Sequence, residues 1–227
     1  MAPLIRTDVT ASNVETIGIL GAGRVGTAVA RQAMKAGYAV KIATAKPVEE
    51  IRLIAEIIVP GAQAATAAEA AESDILVIAI PLHKYRTLDP KMLAGKTVID
   101  VMNYWAPIDG ELDDFENDPR TSSEVIADFL ADSKLVKSLN HIGYRDMEVD
   151  DRPAGAPDRR ALAIASDHAD SAAMVAAFID RLGYDPVVAD SLAASRAFQP
   201  GSEIFKGSHQ AGEMAELLET ACDRVSA

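Results

Sequence analysis

The chain has 227 residues and a formal net charge of −12. Hydrophobic residues make up 49% and charged residues 25%, a composition typical of a soluble globular protein. An acidic surface argues against nucleic acid or an anionic membrane as a partner, because both would repel it. A site for an anionic ligand must therefore be built from local groups.

Residues 1–13 lack the apolar core of a signal peptide, and we expect them to form a flexible arm. No apolar run approaches the ~20 residues that a membrane-spanning helix needs. The single cysteine, Cys222, cannot form an internal disulfide, which fits a reducing compartment. These features predict a cytoplasmic protein without a membrane partner.

The first motif is Gly-Ala-Gly-Arg-Val-Gly at Gly21–Gly26. An apolar, β-branched strand pattern at 16–20 precedes it, and a run of helix formers that stops at Gly37 follows it. Strand, turn and helix are the context in which Gly-x-Gly-x-x-Gly binds a dinucleotide. The first glycine permits the turn, the second lets the backbone approach a pyrophosphate, and the third lets helix and strand pack closely. The motif predicts a dinucleotide site; a structural glycine turn in another α/β fold is the alternative.

The rest of the first 140 residues alternates strand and helix patterns. Strands are predicted at 16–20, 38–44, 63–66, 74–80, 97–101 and 134–139, and helices at 25–36, 48–58, 67–72 and 121–130. The stretch 74–80 is apolar after its first residue, which is typical of a central parallel strand. The alternation predicts an α/β fold, a doubly wound parallel sheet (Rossmann), with strands 16–20 and 74–80 adjacent at its centre.

The pattern changes after Tyr144. A charged segment at 146–160 carries Pro and Gly and is predicted to be a loop. A strand at 161–165, a helix at 169–182, a strand at 186–189 and a final helix near 213–225 follow. We interpret these elements as a second, smaller α/β domain. The predicted domains are residues 1–141, which bind the dinucleotide, and residues 142–227 on the substrate side.

The end of the second strand indicates which dinucleotide is bound. Proteins that bind NAD often place Asp or Glu there, about 20 residues past the motif, to hold the ribose hydroxyl. This chain has Thr44-Ala45-Lys46 instead, and its next carboxylate is Glu49. A hydroxyl and an ammonium group suit the 2′-phosphate of NADP, and Arg24 could reach the same phosphate. The residues therefore favour NADP, although Lys46 and Arg24 could also be ordinary solvated side chains.

The chain resembles a known family in several segments. These are 21–26, 44–46, Ile80-Pro81, Asn103-Tyr104, 138–142 and Ser195-Arg196. They resemble the NADPH-dependent reductases of 8-hydroxy-5-deazaflavin, or coenzyme F420. They are also similar to the NADPH-binding domains of membrane metalloreductases and, more distantly, to pyrroline-5-carboxylate reductases. The resemblance extends from Thr16 over nearly the whole chain.

This resemblance implies a set of site residues. The pyrophosphate would contact Gly21, Ala22, Gly23, Arg24, Val25 and Gly26, the 2′-phosphate Thr44 and Lys46, the nicotinamide ribose Ile80 and Pro81, and the nicotinamide region Asn103, Tyr104, Asn140, His141, Ile142 and Gly143. Asn140 and His141 are the candidate catalytic residues. The chain has Ala45 where the family usually has Arg, and Asn140 where its deazaflavin reductases tend to have His.

The predicted function is hydride transfer between NADPH and coenzyme F420 or a flavin-like planar acceptor, by a homo-oligomer, specifically a homodimer. Such a reaction needs cofactors held in position rather than an acid–base triad. Tyr104 and Trp105 could form an aromatic wall for the ring, or could simply pack. His141 could hydrogen-bond the acceptor, or could be structural.

Two other functions remain open from the sequence. One is reduction of a free flavin, or of a small imine or carbonyl compound, with NADPH. The other, from a different class, is a non-catalytic NADPH-binding sensor. No metal site is predicted, because the four histidines are scattered and no cysteine pair exists.

Overall fold

The computed structural model describes residues 14–225, so the predicted arm at 1–13 lies outside the described residues. The strands are β1 (Thr16–Leu20), β2 (Ala39–Ala43), β3 (Gln63–Ala64), β4 (Ile75–Ile78), β5 (Thr97–Asp100), β6 (Lys134–Lys137), β7 (Ala161–Ala165) and β8 (Asp185–Ala189). They form one sheet in the order β3-β2-β1-β4-β5-β6-β7-β8. Every neighbouring pair is parallel except β6 and β7, which are antiparallel.

Helices cover both faces of this sheet. They are α1 (Arg24–Lys35), α2 (Val48–Ile58), α3 (Ala67–Ala71), α4 (Pro90–Leu93), α5 (Ala106–Asp109), α6 (Asp113–Glu116), α7 (Ser122–Phe129), α8 (Ala169–Leu182), α9 (Glu203–Lys206) and α10 (Ala211–Val225), with 3-10 segments at Leu82–Thr87, Asp146–Glu148 and Leu192–Phe198. Side chains of a strand point alternately to the two faces. The buried residues accordingly form one cluster with α1 and α8 and another with α3 and α7.

The predicted doubly wound sheet is confirmed. β1 lies between β2 and β4 and is parallel to both, so the two strands predicted at the centre are adjacent. A capping box begins the helix predicted at 121–130: the Thr121 side chain accepts from the backbone N–H of Glu124, and the Glu124 side chain accepts from that of Thr121. The four-residue helices α4, α5, α6 and α9 are not indicated by the sequence, because so few residues carry little periodicity.

The C-terminal strands continue the same sheet. β6 and β7 share one register pair, Lys137 with Ala165, and side chains supply the contacts beyond it. Ser138 Oγ donates to the carbonyl O of Ala163 at 2.8 Å, and Ser166 Oγ donates to the carbonyl O of Leu135 at 2.7 Å. The elements predicted for a second domain are therefore joined to the first by the sheet itself. The proposed boundary between residues 141 and 142 stays a prediction.

Candidate functional site

The glycine loop joins β1 to α1 and is shaped by close backbone contacts. Gly21 has φ +118°, and a Cβ there would lie 2.3 Å from the carbonyl O of Ala79. A Cβ at Gly26 would lie 2.0 Å from the carbonyl O of Gly21. Both positions therefore require glycine for packing, as the motif predicts for its first and third glycines.

Gly23, the second glycine, is different. It is the N-cap of α1 and has ordinary angles, φ −78° and ψ −173°. A Cβ at this position would meet nothing within 4 Å, and no side chain caps the helix. The first turn of α1 also carries no acidic residue. An open cradle at an uncapped helix N-terminus suits an anionic group such as a pyrophosphate.

Next to this loop is a pocket of about 310 Å³. It is lined by Ala22 and Thr27 from the glycine-loop side, by Ile42, Thr44, Ala45 and Lys46 at the end of β2, and by Ile51, Ala55, Ile58 and Val59 from α2 and its end. The backbone N–H of Lys46 donates to Thr44 Oγ1 at 3.1 Å, which leaves the hydroxyl hydrogen free to donate outward. An apolar pocket with a hydroxyl and an ammonium at one end suits an adenosine carrying a phosphate.

Arg24 stands apart from this pocket. Its guanidinium lies 5.8 Å from the ring centroid of Tyr144, in the segment after β6. The structure thus brings Thr44 and Lys46 together but directs Arg24 toward the other end of the glycine loop. Arg24 is exposed, so its charge is available near the pyrophosphate cradle.

The segment after β4 lies against Gly21, and the loops after β5 and β6 contact each other. The backbone of Ala79 and Ile80 lies against Gly21, followed by Pro81. Asn103 and Asn140 are paired reciprocally: Asn103 Nδ2 donates to the carbonyl O of Asn140 at 2.8 Å, and Asn140 Nδ2 donates to Asn103 Oδ1 at 3.0 Å. The predicted nicotinamide residues from two separate loops are therefore neighbours.

The two candidate catalytic residues are buried and hydrogen-bonded within the protein. Asn140 Nδ2 also donates to the carbonyl O of Phe198 at 2.9 Å, which uses its second hydrogen. His141 Nε2 accepts from the backbone N–H of Ala163 at 3.0 Å, and its Nδ1 lies 3.2 Å from Asn140 Oδ1. Burial, together with the nearby charges of Arg160 and Lys137, lowers the pKa of His141 to about 3. The imidazole is neutral near pH 7, and these contacts favour a positioning role.

A second pocket, of about 390 Å³, adjoins the same loop. It is lined by Asn140, His141, Ile142, Gly143, Asp146, Arg160, Phe205, Lys206, Gly207 and Ser208. Its basic and acidic groups partly balance, because Asp146 faces it and Arg160 Nη1 contacts Asp150 at 3.2 Å. This mixed lining offers polar partners to a ligand rather than one strong charge.

The aromatic pair after β5 is split between two environments. Tyr104 lies 5.5 Å from Phe115 between ring centroids, and its hydroxyl donates to Glu116, which raises the pKa of the phenol. Trp105 is 49% exposed. Trp105 is therefore the more exposed of the two rings, whereas Tyr104 is half-buried.

The sequence reading missed an ion pair at the ends of β5 and β6. Lys137 and Asp100 are both fully buried, with Nζ 3.2 Å from Asp100 Oδ2. Burial lowers the pKa of Lys137, and the Asp100 carboxylate opposes that effect. The signal in the sequence is a charged residue that directly follows a pair of apolar residues at the end of each strand.

The fold and this loop geometry define a Rossmann-type dinucleotide-binding protein. Residues 16–104 match the family model described as NADP oxidoreductase, coenzyme F420-dependent. The predicted resemblance to this family is confirmed for those residues. The protein belongs to the class of NADP-dependent oxidoreductases. No curated protein sequence matches the chain.

Solved structures resemble the chain over most of its length. A hypothetical protein from Sinorhizobium meliloti has 23% identity and a TM-score of 0.72, covering 86% of this chain and 95% of its own. A protein from Arthrobacter sp. FB24 described as an F420-dependent NADP reductase has 22% identity and a TM-score of 0.66, covering 81% and 88%. A reductive aminase from Aspergillus terreus, solved with NADPH and ethyl levulinate, has 17% identity and a TM-score of 0.51, covering 80% and 57%. At these identities the likeness concerns the fold.

Within residues 14–225, no helix is both long and apolar enough to cross a bilayer. The homodimer and the cytoplasmic location stay predictions.

Proposed function

We propose that the protein transfers a hydride between NADPH and coenzyme F420. The observation that carries this proposal is the match of residues 16–104 to the F420-dependent family, over a segment whose glycine loop is open where a pyrophosphate would lie. The residues of the proposed site come from the ends of five neighbouring strands, β2, β1, β4, β5 and β6, at the edge where ligands bind in such sheets.

The dinucleotide would lie across these ends in an extended form. Its phosphorylated adenosine would occupy the pocket of Thr44 and Lys46, and its pyrophosphate the cradle at Gly23. The nicotinamide half would then lie toward Ile80, Asn103 and Gly143. This order follows from the strand order, because the glycine loop after β1 separates the loop after β2 from those after β4, β5 and β6.

When bound, NADPH supplies the hydride, and a proton from solvent completes reduction of the deazaflavin. The chain's own residues orient the two ligands and keep water away. Asn103 and Asn140 fix the relative positions of two loops, and Trp105 offers an exposed ring surface on which a planar acceptor can stack. Positioning of this kind is the main contribution that a protein makes to hydride transfer.

The acceptor is tested by mixing the purified protein with NADPH and oxidised F420. We expect the visible absorption band of the deazaflavin to bleach in proportion to the enzyme added. Parallel reactions contain free flavin mononucleotide or a cyclic imine. Turnover with either of these and none with F420 would overturn the proposed acceptor. NADPH binding without turnover of any acceptor would instead favour a sensor.

The choice of NADPH over NADH is tested at the end of β2. We expect Lys46→Ala to weaken NADPH binding about tenfold, or about 1–2 kcal/mol, because a half-open charge-assisted hydrogen bond to the phosphate is lost. NADH, which lacks that phosphate, should bind almost as before. Thr44→Asp should weaken NADPH further and strengthen NADH, since a carboxylate repels the phosphate and accepts from a ribose hydroxyl.

Both cofactors are titrated into each variant by fluorescence. Lys91→Ala is the matched control, because Lys91 is an exposed lysine in α4, before β5 and away from the pocket. Equal weakening of NADPH and NADH by Lys46→Ala would show that Lys46 does not select the cofactor. Arg24→Ala is then the next variant to titrate, although its contact with Tyr144 predicts a smaller effect on selectivity.

A further inference from the structure

The buried pair of Lys137 and Asp100 holds one turn of backbone from both sides. Asp100 Oδ1 accepts from the backbone N–H of Met102 at 2.8 Å, and Lys137 Nζ donates to the carbonyl O of Met102. Asp100 Oδ2 accepts from Ser123 Oγ at 2.7 Å and from Lys137. All the polar side chains in this group are completely buried. The peptide groups flanking Met102 are therefore fixed immediately before Asn103.

These contacts are part of a closed circuit made of hydrogen bonds and the short backbone segments between them. Asn103 pairs with Asn140, and Asn140 donates to the carbonyl O of Phe198. In the same 3-10 segment, Ser195 Oγ donates to Thr121 Oγ1 at 3.2 Å. Thr121 caps α7, whose Ser123 returns to Asp100. The circuit joins the loops after β5 and β6, α7 and the C-terminal segment, with Lys137 inside it.

Leu139 adds a constraint on the same loop. It has φ +61°, and among the described residues it is the one non-glycine in the left-handed region. Its side chain is nevertheless buried, as part of the core on the α1 side of the sheet. A buried leucine in this conformation persists only where its surroundings hold it. Lys137 two residues before it and Asn140 one residue after it are both in the circuit.

We infer that Lys137 is a positioning residue of the proposed reaction: by holding the carbonyl of Met102 it sets the Asn103–Asn140 pair against which the nicotinamide half of the dinucleotide is placed. The inference rests on the proposed function, since it concerns the same cofactor. It gives a positioning role to Lys137, a buried charged residue that takes no part in the hydride transfer itself. It also explains why the C-terminal segment is hydrogen-bonded to the nucleotide-binding part.

The test distinguishes binding of the adenosine half of the cofactor from binding of the nicotinamide half. Adenosine 2′,5′-bisphosphate probes the pocket near β2, and NADPH probes both halves. We expect the double variant Asp100→Asn/Lys137→Met to bind the bisphosphate within twofold of the wild type and NADPH at least tenfold more weakly. The double change removes both charges together and so avoids leaving one buried charge unpaired. Affinities are measured by calorimetry, and the emission shift of bound NADPH reports the nicotinamide environment.

Two further variants make the result decisive. Lys134→Met is the matched control, an exposed lysine of the same strand, and should change neither affinity. Ser195→Ala breaks the circuit at its remote side and should weaken NADPH a few-fold, with the bisphosphate unchanged, even if the double variant fails to fold. The inference would be overturned if the folded variants had the same ratio of bisphosphate affinity to NADPH affinity as the wild type. Failure of the wild type to bind NADPH at all would instead contradict the proposed function.

Discussion

Replacing Gly23 with alanine should strongly weaken dinucleotide binding while leaving the fold intact. The added Cβ meets no protein atom within 4 Å, and the backbone angles there suit any residue, so the fold should persist. The loss of stability should be at most about 1 kcal/mol, because alanine is a poorer N-cap than glycine. The methyl group would, however, occupy the cradle at the start of α1. We expect NADPH affinity to fall at least about 100-fold, or about 2.7 kcal/mol, as measured by fluorescence titration.

Gly26→Ala should primarily destabilise the fold, whereas Gly23→Ala should primarily weaken cofactor binding. Its Cβ would lie 2.0 Å from the backbone carbonyl O of Gly21, so strand and helix must separate. We expect the free energy of unfolding to fall by about 3 kcal/mol, visible as a lower melting temperature. Gly212→Ala, at an open position in α10, is the control and should leave the free energy of unfolding unchanged or raise it by up to about 1 kcal/mol. If the Gly23→Ala variant bound NADPH as tightly as the wild type, no phosphate would approach Gly23.

Lowering the pH from 7 to 5 should destabilise the fold by about 2 kcal/mol through His141 alone. The pKa of His141 is about 3 in the folded state and near 6.5 in the unfolded chain. Between these values the unfolded state binds the proton and the folded state does not. The stabilising contribution is therefore complete above pH 6.5 and is lost progressively as the pH falls toward 3.

His141→Gln isolates this contribution. The glutamine carbonyl can still accept from the backbone N–H of Ala163, which His141 Nε2 accepts in the wild type, but it does not titrate. Urea unfolding at pH 7 and pH 5 gives the pH-dependent loss for each protein. Carboxylates contribute equally to both, so the loss should be about 2 kcal/mol smaller in the variant. An equal loss in the two proteins would mean that His141 titrates normally and reaches solvent.

The sequence predicts the glycine loop and the two central strands of the sheet because the patterns that specify them are local. Gly21 has a positive φ and Gly26 lies against the carbonyl O of Gly21, so the turn between β1 and α1 by itself favours glycine at both positions. The contact of Gly21 with Ala79, after β4, is added by the tertiary structure. The continuous apolar run around β4 requires cover on two faces, which sets it at the centre beside β1. Thr44 and Lys46 are also predicted locally, from the absence of a carboxylate after β2, and both line the pocket at the end of that strand.

Other features of the site arise only when distant segments meet. A lysine at the end of β6 is ordinarily solvated, and nothing in the sequence around Lys137 shows that Asp100, 37 positions earlier, will lie against it. His141 and Asn140 have residue types suited to catalysis, but their partners come from β7 and from Phe198. The antiparallel join of β6 to β7 likewise depends on side chains from both strands. Local sequence patterns therefore predict the glycine loop and the residues of the pocket after β2. Tertiary contacts between distant segments determine which polar groups near β6 are buried and which can contact a ligand.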